Sequence, residues 1–206
     1  WDIDRYHADD KRTAIDDWPV APRLLEDSYT VADAVVVGGL LISLLRHADR
    51  VTAASLAQLV NVIAPIMTEP GGPAWRQTTF FPFAVTSRLG RGRALDVAVR
   101  SDTFESAAHG AVPLVDAVAT ADGDGVSVFL VNRSATETAS VKVDLTRTDV
   151  ALVAEAVTLW DADPAARNTL TDPERVGLRS LDAELADGEL VLELAPASWS
   201  AVRLVP

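Results

Sequence analysis

The side-chain amides Gln58 and Asn61 interrupt the apolar first half of the run Ser55–Thr78, SLAQLVNVIAPIMTEPGGPAWRQT. An amide inside a buried strand costs free energy unless it finds hydrogen-bond partners, so each invites a search for a ligand. Gln58 can equally cap a neighbouring backbone group and Asn61 can end the strand, because most buried polar side chains are satisfied by nearby protein atoms. Carboxylates that could move protons stand at Asp16-Asp17, Glu26-Asp27 and Glu69. Adjacent carboxylates in loops are ordinarily solvated, and a catalytic role needs a pocket and a perturbed pKa. The histidines His7, His47 and His109 lack ligand-like spacing, and without cysteine there is neither a thiolate site nor a disulfide framework. No metal and no cofactor are expected. Asn132-Arg133-Ser134 fits the glycosylation acceptor pattern and reads as a chance match at a strand end.

The elements that must hold these residues change character near Gly90–Arg93. Upstream, Thr30 with Asp33 three residues on gives a capping signal, and apolar spacing predicts a helix over Val31–Ala48. Gly38-Gly39 inside it implies a tightly packed neighbour, since each glycine costs about 1 kcal/mol against alanine. His47 sits where a basic side chain favours the helix dipole. Before that helix, Pro19 and Pro22 mark a loop, with a short helical turn at Arg23–Asp27. After it, Thr52–Ile63 reads as a buried parallel strand closed by Ala64-Pro65. Gly71-Gly72 lies in a loop, and Pro73 at a first helical position would open a helix over Ala74–Arg88, interrupted at Pro82. Helix, strand and helix in this order follow the grammar of an alternating β/α barrel, with Glu69 on the face where such barrels act.

Downstream the hydrophobic period falls towards two. Ala94–Arg100, Leu114–Thr120, Gly125–Asn132, Ala139–Leu145, Leu152–Leu159, Glu189–Leu194 and Ser198–Leu204 read as strands. Asp122–Gly125 and Asp187-Gly188 supply hairpin turns. Regular strands with turn signals predict an antiparallel sandwich, and the Asp-rich stretch Asp161–Asp187 reads as a long loop.

Composition bounds the function classes. The 206 residues are 49% hydrophobic and 23% charged, enough for a sizeable core in one or two domains. A net charge of −12 argues against a general affinity for nucleic acid or anionic membranes. The opening residues lack the apolar core of a secretory signal, and Val31–Leu45 is too short and is broken by Asp33 for a membrane span. A cytoplasmic location follows as an expectation. The chain opens on Trp1 without an initiator methionine, as expected of a fragment or an excised domain.

Longer motifs carry a more specific signal. Ser55–Thr78, preceded by Arg46-His47-Ala48-Asp49-Arg50-Val51 and followed by Phe80-Phe81-Pro82-Phe83, closely resembles the last part of α-L-arabinofuranosidases of glycoside hydrolase family 51. Trp1-Asp2-Ile3-Asp4-Arg5-Tyr6-His7, Trp18–Pro22 and Leu24–Asp27 extend the resemblance, and Phe129–Arg133 and Ala197–Ser200 carry it more loosely to the end. It implies an α+β fragment, with the last β/α units of a (β/α)8 barrel over residues 1–92 (helix 7, strand 8, helix 8) and an antiparallel β-sandwich over 93–206.

The resemblance also implies a chemistry and its distribution. These enzymes remove terminal arabinofuranosyl groups with retention, which needs two carboxyl groups about 5–5.5 Å apart. Aligned on the family, the nucleophile would precede Trp1 and the acid/base would lie on barrel strand 4, so both fall outside the 206 residues. Catalytic residues are therefore expected to be none, and the isolated chain inactive. Gln58 carries over as a ligand of the arabinofuranose, Trp1 as a wall of the sugar site, and Asn61 as structural. Asp4 or Arg5 stands where the family has a second tryptophan. The implied partners are arabinofuranosyl oligo- or polysaccharides, compatible with the negative charge, and further copies of the full-length enzyme in a homo-oligomer. The alternative is a non-catalytic sandwich that binds carbohydrate or mediates assembly. Such a module would need exposed aromatic residues, of which Phe104, Phe129, Trp160 and Trp199 are the candidates.

Overall fold

The computed structural model describes residues 27–206. The expectations placed on Trp1, Asp4, Arg5, His7, Asp16-Asp17, Glu26 and the loop at Pro19–Pro22 lie outside the described residues. The fold is mostly antiparallel sheet with few helices.

Helix α1 spans Val31–Arg46. Its first turn is closed by a full capping box, in which Thr30 Oγ1 accepts from the Asp33 N–H while Asp33 accepts from the Thr30 N–H at 2.7 Å. Val31, Ala34, Val35, Gly38, Leu41 and Ile42 recur at helical spacing and form its buried face. Gly38 explains the close approach: a Cβ there would stand 2.1 Å from Trp199 Cδ1. Gly39 has no such neighbour, its nearest contact being Arg133 Nη2 at 4.0 Å, so only the first glycine is required by packing.

The segment after α1 departs from expectation. Thr52–Ile63 is not a strand: Gln58, Asn61 and Val62 take φ near +60° and turn the chain back on itself. The strand comes later, as β1 (Ile66–Thr68), and pairs antiparallel with β2 (Ala74–Arg76). A parallel buried strand needs hydrogen-bonded neighbours on both sides, whereas β1 has only β2 in its sheet among the described residues. Pro73 accordingly closes a hairpin rather than opening a helix, its carbonyl accepting from the Glu69 N–H at 3.0 Å. Helix α2 begins at Phe80 and ends at Leu89, and Pro82 falls in its first turn, where a missing N–H interrupts nothing.

Two further sheets build the body. The strands are β3 (Arg93–Ala94), β4 (Thr103–Ser106), β5 (Gly110–Pro113), β6 (Val115–Asp122), β7 (Gly125–Asn132), β8 (Ala139–Asp144) and β9 (Leu152–Leu159). They continue as β10 (Leu178–Ser180), β11 (Ala183–Ala186), β12 (Glu189–Leu194) and β13 (Ser198–Val205). A six-stranded sheet runs β10-β9-β13-β7-β6-β3, a three-stranded one β11-β12-β8, and β4-β5 stand apart as a hairpin. Of the expected strand Ala94–Arg100 only the start pairs, with Leu95 N–H reaching Ala119 O. Asp161–Asp187 is not one loop: it contains β10 and β11 and buries Asp161, Ala166, Asn168 and Val176.

Period-two alternation sends the large sheet's side chains to two cores. Val118, Phe129, Val131, Leu159, Trp199 and Ala201 face α1 and α2. Val126, Val128, Leu130, Val202 and Leu204 face Leu190, Leu192 and Leu194 of the small sheet. The central strands are thus buried on both faces, which is why they are almost continuously apolar. The β6–β7 turn needs Gly125, whose φ is +146° and whose Cβ would stand 2.0 Å from Leu204 O.

Candidate functional site

The buried amide of the Ser55–Thr78 run is neither of those first singled out. It is Gln77, only 1% exposed. Its Nε2 donates to Asp27 O at 3.0 Å and Ala64 O at 2.9 Å, and its Oε1 accepts from Tyr29 N–H at 2.9 Å. Around it, Thr78 Oγ1 donates to Thr30 O at 2.6 Å, Tyr29 OH to Ile63 O at 2.9 Å, and Asp27 N–H to Val62 O at 2.8 Å. Burial first, then the charges of Asp27 and Asp33, push the Tyr29 phenol up to about 12, so it stays a donor across the neutral range. This polar knot fastens Asp27–Thr30, the loop before β1 and the entry to α2 at one point. No local signal marks Gln77, which stands among Arg76, Thr78 and Thr79 in a stretch expected to be helical.

Gln58 and Asn61 lie on the loop that this knot anchors. Gln58 is exposed and has no hydrogen-bond partner among the described residues, between exposed Leu59 and Val60. Asn61 is structural, as expected: its Oδ1 accepts from Thr68 N–H at 2.7 Å and its Nδ2 donates to Thr68 Oγ1 at 2.9 Å. The loop is thereby fixed to the β1–β2 hairpin, whose tip carries exposed Glu69. Trp1 cannot be set against this geometry, since it lies outside the described residues.

The remaining sequence candidates fall elsewhere. His47 is the C-cap of α1 and His109 is exposed beside the β4–β5 turn. Among the described residues no group of three or more His, Asp or Glu could hold a metal ion. Asn132 is fully buried, its Nδ2 donating to Glu137 O at 2.8 Å and to Leu194 O and Ala195 O at 3.1 Å, so no free amide is offered to a glycan. A groove of about 1560 Å³ follows the face of β6 and β7 beside β8, lined by such residues as Ala117, Val128, Leu130 and Val141, and shares no residue with the Ser55–Thr78 run. It lies against the second core and has the character of open packing space. No helix among the described residues is long and apolar enough to cross a membrane.

The family model described as "Alpha-L-arabinofuranosidase C-terminal domain" matches residues 4–198. The chain belongs to that family. An intracellular exo-alpha-(1->5)-L-arabinofuranosidase of Streptomyces lividans is 58% identical over 189 residues, covering 91% of this chain and 28% of that protein. An exo-alpha-(1->6)-L-arabinofuranosidase of Bifidobacterium longum is 50% identical over 195 residues, covering 92% of this chain and 37% of that protein. A solved family 51 alpha-L-arabinofuranosidase from Bifidobacterium longum superposes with a TM-score of 0.88 at 43% identity, over 99% of this chain and 40% of that one. As a member of the arabinofuranosidase C-terminal domain family, the chain spans well under half the length of these relatives.

Proposed function

We propose that this chain is the C-terminal part of a retaining, exo-acting α-L-arabinofuranosidase that hydrolyses terminal α-L-arabinofuranosyl groups of arabinoxylan, arabinan or their oligosaccharides. The observation that carries the reading is the match of residues 4–198 to the family's C-terminal domain, joined to relatives whose names share the exo-arabinofuranosidase activity. In it, residues 1–92 form the end of a (β/α)8 barrel and residues 93–206 a β-sandwich. The catalytic carboxylates belong to the parts of the enzyme that this chain does not span. Gln58 is a ligand of the arabinofuranose and Trp1 a wall of its site. The exposed amide, without a hydrogen-bond partner among the described residues, supports the assignment of Gln58, because a neutral amide exchanges hydrogen bonds with sugar hydroxyls at any pH. Leu59 and Val60, 76% and 43% exposed, are apolar surface that a neighbouring part of the enzyme would cover. A cytoplasmic place and a homo-oligomeric enzyme complete the reading, the former supported by the word intracellular in the relative's name.

A freestanding carbohydrate-binding sandwich fits less well. Phe129 and Trp199 are 1% and 0% exposed and serve the core, so they offer no stacking platform.

The test is hydrolysis of a chromogenic α-L-arabinofuranoside by the purified 206-residue chain and by the full-length enzyme. Turnover is expected from the second and none from the first. Turnover by the short chain that survives removal of contaminating glycosidase overturns the division of labour.

A further inference from the structure

We propose that Asn61 is a positioning residue for Gln58, holding the Gln58 loop in the one conformation that presents its amide to the sugar. The inference rests on the reading of Gln58 as a sugar ligand and goes beyond it.

The starting observation is backbone strain. Within five residues three side-chain-bearing positions, Gln58, Asn61 and Val62, have φ of +59°, +60° and +60°. Residues with a Cβ avoid this region, β-branched ones most of all, and asparagine tolerates it best. Strained backbone persists only where its surroundings over-determine it, and it gathers at functional sites.

The polar knot holds the far end of the segment, through Val62 O, Ile63 O and Ala64 O, and on the Gln58 side of it the hold is concentrated at Asn61. Asn61 N–H donates to Ile66 O at 2.8 Å, Asn61 O accepts from Ala64 N–H at 3.0 Å, and both side-chain ends engage Thr68. All four polar groups of Asn61 are therefore used. Gln58, three positions away, has no partner of its own among the described residues. Its amide is registered against the β1–β2 hairpin through Asn61, by the backbone bond to Ile66 O and by the side-chain clamp on Thr68. The side-chain type follows: Oδ1 must accept from the Thr68 N–H while Nδ2 donates to the hydroxyl. Aspartate keeps the first bond and can accept a hydrogen bond from the hydroxyl in place of the second, since Thr68 Oγ1 already lies 3.2 Å from Oδ1. Alanine loses both.

The experiment is a double-mutant cycle in the full-length enzyme. Gln58→Ala, Asn61→Ala and the double variant are compared by kcat and KM on a chromogenic arabinofuranoside and by thermal midpoint. Asn61→Asp and Thr68→Val serve as graded variants that remain informative should Asn61→Ala not fold. Each alanine single variant is expected to lower kcat/KM about tenfold or more, with the double variant no worse than the poorer single, because a misplaced amide and a missing one are equivalent. Asn61→Asp recovers most of the loss at an unchanged profile of substrates. Multiplicative losses in the double variant overturn the positioning role, as does a lowered thermal midpoint with unchanged kcat/KM. If Gln58→Ala lowers kcat/KM and no Asn61 or Thr68 variant does, the positioning role alone falls. If Gln58→Ala changes nothing, the ligand reading falls and takes this inference with it.

Discussion

At the scale of single residues, the two glycines of α1 separate packing from propensity. Gly38→Ala drives a methyl into the Trp199 ring, 2.1 Å from Cδ1, and is expected to cost about 1–3 kcal/mol through overpacking. Gly39→Ala meets nothing closer than 4.0 Å and is expected to be neutral or to stabilise by up to about 1 kcal/mol, as alanine does in helices. Urea midpoints of the two variants check this, and equal shifts would contradict it. Residues whose role is local were the legible ones. Thr30 and Asp33 announce their cap because both partners lie within one turn. Gln77 was not legible, since its three partners lie 13 to 50 positions away and nothing in its immediate neighbours marks them.

At the scale of elements, Asp116 on β6 is the joint between helix and sheet. It pairs with Arg46 at the end of α1 and with Arg133, which follows β7, at 2.8 Å. Burial alone would raise the Asp116 carboxyl, but the hydrogen bonds from Arg133 and Arg46 outweigh it and hold the group below the usual carboxylate range. A depressed folded pKa contributes stability above the unfolded value and loses it as pH falls through the folded one. The stability difference between the protein and Asp116→Asn is therefore expected to be constant near neutrality, to shrink below about pH 4 and to lose its pH dependence once the carboxyl is protonated in the folded protein as well. Chemical denaturation across that range measures it; a gap that widens on acidification would refute the assignment. Strands legible from the sequence were those with a long apolar or alternating pattern and turn residues nearby, such as Gly125–Asn132 and Glu189–Leu194, found with those bounds. The short strands β4, β5, β10 and β11, of three or four residues each, are too brief to show a periodicity of their own. The error at Thr52–Ile63 has the opposite cause: its apolar run resembles a strand, and left-handed backbone at Gln58, Asn61 and Val62 turns it aside.

At the scale of the whole molecule, the proposed boundary between residues 92 and 93 crosses a shared core. Val31, Ala34, Ile42, Val85 and Leu89 of the helices pack on Val118, Phe129, Leu159 and Trp199 of the large sheet. Residues 93–206 alone would expose that sheet face, so the fragment is expected to bind hydrophobic dye and to lack a sharp thermal transition. A cooperative transition matching that of the complete chain would show instead that the sheet stands without its helices. The sequence pattern conveyed that strands follow helices. It did not convey that the helices lie on the sheet, because that contact joins positions far apart and Gly38 was the only local hint of it.

The position of β13 has a consequence for how the protein is made. Of the described strands it leaves the ribosome last, yet it lies inside the large sheet, bonded to β7 on one side and β9 on the other. Until residue 205 has emerged, β7 and β9 have an empty slot between them, and the two halves of the sheet have no common partner. The architecture therefore closes only after synthesis of this region is complete, and a nascent chain must carry two apolar, unpaired strand edges for that whole interval.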